Sequence, residues 1–155
     1  MKFKFLFIAL TALAFLSSAI DSGEKLNEGS KVPEIKTLDG SVINPNDGKM
    51  RLVNFWSPKD PVSRIANKEF SDYFSSHENS DIEFISICTD SDDLLAQEVI
   101  RYDGAANGRH ISYSDLPERI FKDYQVADHP EVFLLDTNGK LLRKGSSVSS
   151  YLNAL

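Results

Sequence analysis

The chain has 155 residues, of which 41% are hydrophobic, and a formal net charge of −6. This length suits one domain with a substantial core and is too short for two ordinary domains, and the hydrophobic content excludes wholesale disorder. The acidic balance argues against nucleic acid as a partner, because phosphate binding needs a basic surface and the sequence has no cluster of Lys or Arg.

The N-terminus has the pattern of an export signal. A short basic start, Met1–Lys4, precedes an apolar run at 5–16, which is typical of a signal peptide and too short to span a bilayer comfortably. Small residues predict cleavage after Ala19, the alternative being an uncleaved N-terminal anchor. We therefore expect a signal peptide at 1–19, a polar leader at 20–28 and a folded domain at 29–155. The mature protein would be periplasmic or secreted, without an integral membrane span.

Strand and helix patterns alternate along the rest of the chain. Pro33 biases the residue before it toward extended backbone, which predicts an entry strand at 32–35. Periodicity then predicts strands at 50–56 and 81–89, helices at 61–74 and 91–102, a loop at 103–108, a helix at 116–124, a hairpin with strands at 131–136 and 141–144, and a short helical piece at 151–155. This order predicts an α/β fold with a mixed sheet and helices on both faces.

Each of the first two predicted helices has an apolar face. The residues assigned to these faces are Val62, Ile65, Ala66, Phe70 and Phe74 on the first helix, and Leu94, Leu95, Val99 and Ile100 on the second. We expect both faces to pack on the sheet.

Cysteine and histidine usage limits the possible chemistry. The only cysteine, Cys88, cannot form an internal disulfide, and it lies in the strand sequence D-I-E-F-I-S-I-C-T, where a small buried side chain is expected. A reactive thiol at Cys88 would instead need exposure and a lowered pKa. The three histidines, His77, His110 and His129, are far apart and do not predict a metal site, so we expect neither a metal nor a cofactor.

Three stretches between Gly29 and Lys144 resemble one known group of proteins. They are G-S-K-V-P-E-I at 29–35 followed by a D-G turn, L-V-N-F-W at 52–56, and a segment at 124–140 that contains Y-Q-V, H-P, V-F-L-L-D and G-K. In this order they resemble the periplasmic thioredoxin-like group that includes the ResA- and TlpA-type thiol-disulfide proteins. The resemblance implies a thioredoxin-like fold, with a central mixed sheet flanked by helices.

The sequence departs from that group at the residues that carry its chemistry. Counting from the F-W pair of the strand, Asp60 falls on the first cysteine of the group's C-x-x-C motif and Ser63 on the second, whereas Pro61 and Arg64 keep the pattern. Thiol-disulfide exchange needs a thiolate that attacks a sulfur, so we expect no exchange and no catalytic residue here. Asn54 falls where some thioredoxins hold a buried acid, and an amide cannot relay protons.

Asp60 has a structural interpretation of its own. Asp is a favoured N-cap and Pro61 suits the first helical position, so Asp60 is predicted to cap the helix. The alternatives are an acid/base carboxylate and a polar contact to a bound partner.

The resemblance also places Pro130 at the group's cis-proline position, which predicts a cis bond between His129 and Pro130. The backbone before this bond would then lie beside Asp60 and offer an edge to an extended peptide. The predicted groove residues are Trp56, Lys59, Pro61, Val62, His129 and Pro130.

These observations predict a non-catalytic module that binds a polypeptide of the cell envelope. One alternative is residual oxidoreductase or peroxidase-type activity through Cys88. The other is a structural subunit of an envelope assembly.

Overall fold

The computed structural model describes residues 25–45, 47–77, 80–126, 129–153 and 155. The predicted signal peptide therefore lies outside the described residues. The elements are β1 Met50–Trp56, α1 Pro61–Ser76, β2 Ile82–Cys88, α2 Asp93–Asp103, β3 Arg109–Ile111, a 3₁₀ turn Tyr113–Asp115, α3 Arg119–Asp123, β4 Val132–Leu135, β5 Leu141–Gly145 and α4 Val148–Leu152. In these ranges, no helix has the length and apolar character that crossing a membrane requires.

The five strands form one mixed sheet in the order β3-β2-β1-β4-β5. The first three strands run parallel, because each returns through a helix, whereas β4 is antiparallel to β1 and pairs with β5 as a hairpin. β1 lies at the centre, so the residues that follow it reach the edge of the sheet where the parallel strands end. This topology is the thioredoxin-like arrangement that the sequence predicts.

Alternation along the strands divides the core between the two faces of the sheet. On one face, Leu52 and Phe84 pack with Phe70 of α1 and with the fully buried Tyr151 of α4. On the other face, Val53, Phe55, Ile85, Ile87 and Phe133 pack with residues of α3 and of the N-terminal segment, including Ile35, Ile43, Ile120, Phe121 and Tyr124. Side chains of successive strand residues point to opposite sides of the sheet. Because the central strands are apolar at most positions, both faces of the sheet are apolar.

Local signals explain where the two long helices begin and end. Asp60 caps α1 and Pro61 takes its first position, and the Asp92 side chain accepts a hydrogen bond from the Leu95 N–H at the start of α2. Gly104 ends α2 with a φ of 66°, the left-handed conformation that glycine adopts without a steric penalty.

The structure corrects several predicted elements. The entry segment forms only isolated bridges, Lys31 to Lys140 and Lys36 to Val42, rather than a strand. The predicted loop at 103–108 begins with the last residue of α2 and leads into β3, which the sequence did not indicate. The predicted helix at 116–124 is shorter, because Pro117 and the 3₁₀ turn precede it.

The apolar faces of the helices are only partly buried. Ala66, Phe70 and Phe74 pack on the sheet as predicted, but Val62 and Ile65 are 67% and 59% exposed. On α2, Val99 is buried and Leu94 is 76% exposed. Helical periodicity identifies residues that share a face, and the neighbouring elements decide how much of that face is covered.

Candidate functional site

A cavity of about 270 Å³ opens between the first turns of α1 and the segment that leads into β4. It lies where β1 ends and α1 begins. Its walls consist of Asn54, Phe55, Asp60, Val62, Ser63, Ala66, His129, Pro130, Glu131, Val132 and Ser146. We call this cavity the groove. Residues far apart in sequence meet here because the antiparallel β4 lies directly beside β1.

Asp60 stands at the groove as the N-cap of α1. Its Oδ1 accepts a hydrogen bond of 3.0 Å from the Val62 N–H, and its backbone is extended, as an N-cap requires. The predicted capping role is confirmed. One oxygen of the Asp60 carboxylate accepts this hydrogen bond from the start of α1. The Asp60 side chain remains partly exposed at the cavity wall.

Ser63 faces the groove from the first turn of α1, and its hydroxyl forms hydrogen bonds with nearby backbone groups. Its Oγ accepts a 3.1 Å hydrogen bond from the Ser57 N–H and lies 3.3 Å from the carbonyl oxygen of Asp60. No histidine, lysine or carboxylate side chain among the described residues forms a hydrogen bond with the hydroxyl. A serine nucleophile needs an adjacent base, and this arrangement provides none.

A buried polar network lies beneath the groove. Asn54 Nδ2 donates to Asn67 Oδ1 at 3.1 Å, and Ser86 Oγ donates to the same oxygen at 2.7 Å. All three residues are at most 1% exposed. These bonds tie α1 to β1 and β2, and they satisfy polar groups that would be costly to bury alone.

The predicted cis bond is not found. The structure has no cis peptide bond in the part of the chain that it describes, which includes both His129 and Pro130. The bond between them is therefore trans, the form that X–Pro bonds favour by about 0.5–1 kcal/mol. Both residues nevertheless line the groove, and the next carbonyl, that of Glu131, accepts a 2.9 Å hydrogen bond from the Phe55 N–H.

The structure separates the other predicted groove residues from the cavity. Trp56 is 1% exposed and packs with Cys88, Ala96 and Val99. Lys59 is exposed and forms a 2.9 Å ion pair with Asp90, whose hydrogen bond raises the pKa of the Lys59 ammonium group. Pro61 lines a separate depression together with Pro58 and Ile65. Of the predicted set, Val62, His129 and Pro130 line the groove with Asp60 and Ser63.

Sequence reasoning missed six residues of the groove wall, among them Asn54 and Phe55 of β1. Glu131 and Val132 reach it because β4 pairs directly with β1. Ser146 follows β5, the strand paired with β4, and Ala66 reaches the groove from the second turn of α1. The strand prediction covered Glu131 and Val132, but their place beside the groove depends on pairing between distant strands. Ser146 carried no sequence signal.

Cys88 lies outside the groove, at the end of β2. It is 3% exposed, and burial raises the pKa of its thiol to about 11. The sulfur accepts a hydrogen bond from the Asp90 N–H at 3.4 Å. The prediction of a buried side chain is confirmed, and a raised pKa disfavours the thiolate that nucleophilic chemistry requires.

Two histidines have contrasting environments away from the groove. His77 is exposed and stacks on Tyr73, with ring centroids 4.1 Å apart. The ring nitrogens of His110 are buried without a hydrogen-bond partner, and burial lowers the pKa of this imidazole. The described residues hold no group of three or more His, Cys, Asp or Glu that could bind a metal ion.

Several solved structures are similar to this chain, and some of them are described as thiol-disulfide oxidoreductases. The chain is similar to the thioredoxin domain of a thiol-disulfide oxidoreductase from Bacteroides vulgatus, with a TM-score of 0.67, 20% identity, and coverage of 84% of this chain and 98% of that one. StoA from Bacillus subtilis is similar with a TM-score of 0.61 and 18% identity, and the match covers 79% of this chain and 93% of StoA. A secreted disulfide oxidoreductase from Mycobacterium tuberculosis is similar with a TM-score of 0.60 and 18% identity, and the match covers 79% of this chain and 96% of that protein.

The comparison establishes a thioredoxin-like fold over most of the chain. No protein-family model matches the sequence, and no curated protein matches it either. At identities of 18–20%, the likeness extends to the fold and not to the activity.

Proposed function

We propose that the protein is an exported thioredoxin-like module that binds a polypeptide in its groove and does not exchange disulfides. The observation that carries this proposal is the groove itself. A cavity remains between the start of α1 and the segment before β4, while Asp60 and Ser63 stand at its wall without a thiol.

The dimensions of the groove suit a polypeptide. Its volume of about 270 Å³ is below the roughly 300–1,000 Å³ of pockets that enclose drug-sized ligands. A cavity of this size holds one or two side chains, and the His129–Pro130 segment beside it offers backbone groups to an extended chain. Val62, 67% exposed at the rim, adds apolar contact area.

The chemistry of the remaining thiol supports a non-catalytic role. The sequence contains one cysteine, so no dithiol can form within the chain. Cys88 is buried, has a pKa raised to about 11, and is not part of the groove wall. These features disfavour the alternative of residual oxidoreductase or peroxidase-type activity.

Export is the second part of the proposal. It rests on the basic, apolar and small-residue pattern of residues 1–19. One of the similar structures is described as a secreted protein, which is consistent with this location.

Site-specific photo-crosslinking tests the proposal. A photoreactive residue replaces Val62 at the groove rim, and a matched protein carries it at Leu94, which is similarly exposed on α2. Both are irradiated with the envelope fraction of the producing cells. We expect a discrete polypeptide adduct from position 62 only, and its loss in Ser146→Trp, where a large side chain would fill the cavity. Equal adducts from both positions, or none from position 62, would contradict groove binding.

A further inference from the structure

The groove wall is rich in hydrogen-bond acceptors and poor in cations. Its ionisable side chains are the Asp60 and Glu131 carboxylates and the His129 imidazole, and no Lys or Arg belongs to the described lining. Glu131 is already neutralised by Lys144, with Nζ 3.0 Å from Oε2. Asp60 differs, because no ion pair among the described residues includes it.

An independent feature of the groove is an unpartnered amide oxygen. Asn67 Oδ1 accepts both from Ser86 Oγ and from Asn54 Nδ2, so the Asn54 amide uses its nitrogen in this network. Asn54 Oδ1 then points elsewhere, and no described residue donates a hydrogen bond to it.

The burial of Asn54 indicates where its Oδ1 atom lies. Asn54 is 1% exposed and lines the groove. In the described part of the chain, the only fully buried side-chain nitrogen or oxygen atoms without a partner are the two ring nitrogens of His110. Asn54 Oδ1 is not among these atoms and accepts no hydrogen bond from a described residue, so it retains a small area open to the cavity.

We propose that the groove selects a polypeptide with a basic side chain, Lys or Arg, which enters the cavity between the Asp60 carboxylate and Asn54 Oδ1. This inference rests on the proposed function and specifies its ligand. Ammonium and guanidinium groups carry donors only, which complements the Asp60 carboxylate and Asn54 Oδ1, both of which are acceptors. The aliphatic stem of such a side chain would lie along Val62, Ala66 and Pro130, all part of the lining.

Two electrostatic effects oppose each other at this place. The N-terminus of α1 carries about half a unit of positive charge, which disfavours a cation, whereas ionised Asp60 carries a full negative charge at the same position. The sum is negative. The overall charge of −6 adds a long-range attraction for basic ligands that salt would weaken.

A peptide selection tests the inference. Random nine-residue peptides displayed on phage are selected on the mature protein, with Ser146→Trp used to remove peptides that bind elsewhere. We expect the recovered peptides to share a Lys or Arg at one position. Replacing that residue with Gln in a fluorescein-labelled peptide should weaken binding at least five-fold at low salt, and raised salt should reduce this difference.

The matched variants assign the effect to one carboxylate. Asp60→Asn keeps an N-cap of equal quality and removes the charge, so it should bind the Lys and Gln peptides with similar affinity. Asp72→Asn, on the exposed side of α1 and outside the groove wall, should keep the preference. Recovered peptides without a common basic residue, or an unchanged preference in Asp60→Asn, would overturn the inference while groove binding stands. Failure to recover any groove-dependent peptide would overturn both proposals.

Discussion

Asp60 caps α1 at the position that the resemblance assigns to a redox cysteine. The hydrogen bond from the Val62 N–H satisfies one of the N–H groups that a helix start leaves without a partner. The sequence alone predicted this role, because the capping residue and Pro61 are adjacent in the chain and the interaction is local. Its place in the groove could be inferred only from a resemblance, since the groove depends on strand pairing.

Removal of the cap should destabilise the protein without unfolding it. We expect Asp60→Ala to lower the free energy of unfolding by about 0.5–2 kcal/mol and Asp60→Asn to change it little. Urea denaturation followed by circular dichroism measures both values. An Asp60→Ala protein as stable as the parent would show that the cap contributes nothing.

Cys88 should be inert in the native protein. Burial raises the pKa of its thiol to about 11, so almost none of it is thiolate at neutral pH. We expect iodoacetamide to label Cys88 only after denaturation, as followed by mass spectrometry, with an unfolded sample as the positive control. Rapid labelling of the native protein would restore the alternative of thiol chemistry.

His110 should make stability depend on pH. Burial lowers the pKa of His110 in the folded state. In the unfolded chain histidine titrates at about 6.5, so below that pH the unfolded chain binds more protons than the folded protein. The free energy of unfolding should therefore fall as the pH decreases through about 6.5, down to the folded-state pKa.

Denaturation at several pH values measures this dependence. His110→Phe, which places an apolar ring where the imidazole nitrogens have no partner, should flatten the profile between about pH 7 and pH 5. His77→Gln, a change at an exposed position, should leave it unchanged. A profile that His110→Phe does not alter would show that this imidazole titrates normally.

At the scale of elements, α1 is fixed to the sheet by a polar contact as well as by its aromatic side chains. Asn67 bonds to Asn54 of β1 and Ser86 of β2, directly beneath the groove. This connection holds the start of α1 at a fixed position relative to the groove floor. Neither periodicity nor composition predicted it, because a buried asparagine on a helix looks like a residue of its polar face.

Breaking this contact should be costly. Asn67→Ala leaves Asn54 Nδ2 and Ser86 Oγ buried without a partner, at about 1–3 kcal/mol for each group. Thermal and urea unfolding should both show the loss. Lys68→Ala is the control, because its neighbouring ion pair with Asp72 is exposed and contributes about 0–1 kcal/mol. Equal effects of the two substitutions would contradict this role of the buried network.

The elements differ in how well the sequence predicts them. Strands β1 and β2 and helix α1 agree closely with the predicted ranges, since long periodic segments carry their own signal. β3 has three residues, too few for an alternating pattern, and it exists through pairing with β2. Val62 and Ile65 carry the helical period but project from the first turns of α1, where no element covers them.

For the whole molecule, the fold is held by a core that contains no disulfide. The core on both faces of the sheet and the groove at the end of β1 depend on apolar and amide side chains, and none of them needs a disulfide. One predicted feature of the fold is not found: the bond between His129 and Pro130 is trans and not cis. Under the proposed function, the groove, whose described wall holds no sulfur, binds a polypeptide and releases it unchanged.

The most direct test of groove binding is a titration of the ¹⁵N-labelled mature protein with a selected basic peptide, followed by amide chemical shifts. We expect saturable shifts at Val62, Ser63, His129 and Glu131, with little change at Leu94 and in β3, and loss of these shifts in Ser146→Trp. Shifts that cluster away from the start of α1, or that persist in Ser146→Trp, would contradict the groove as the binding site.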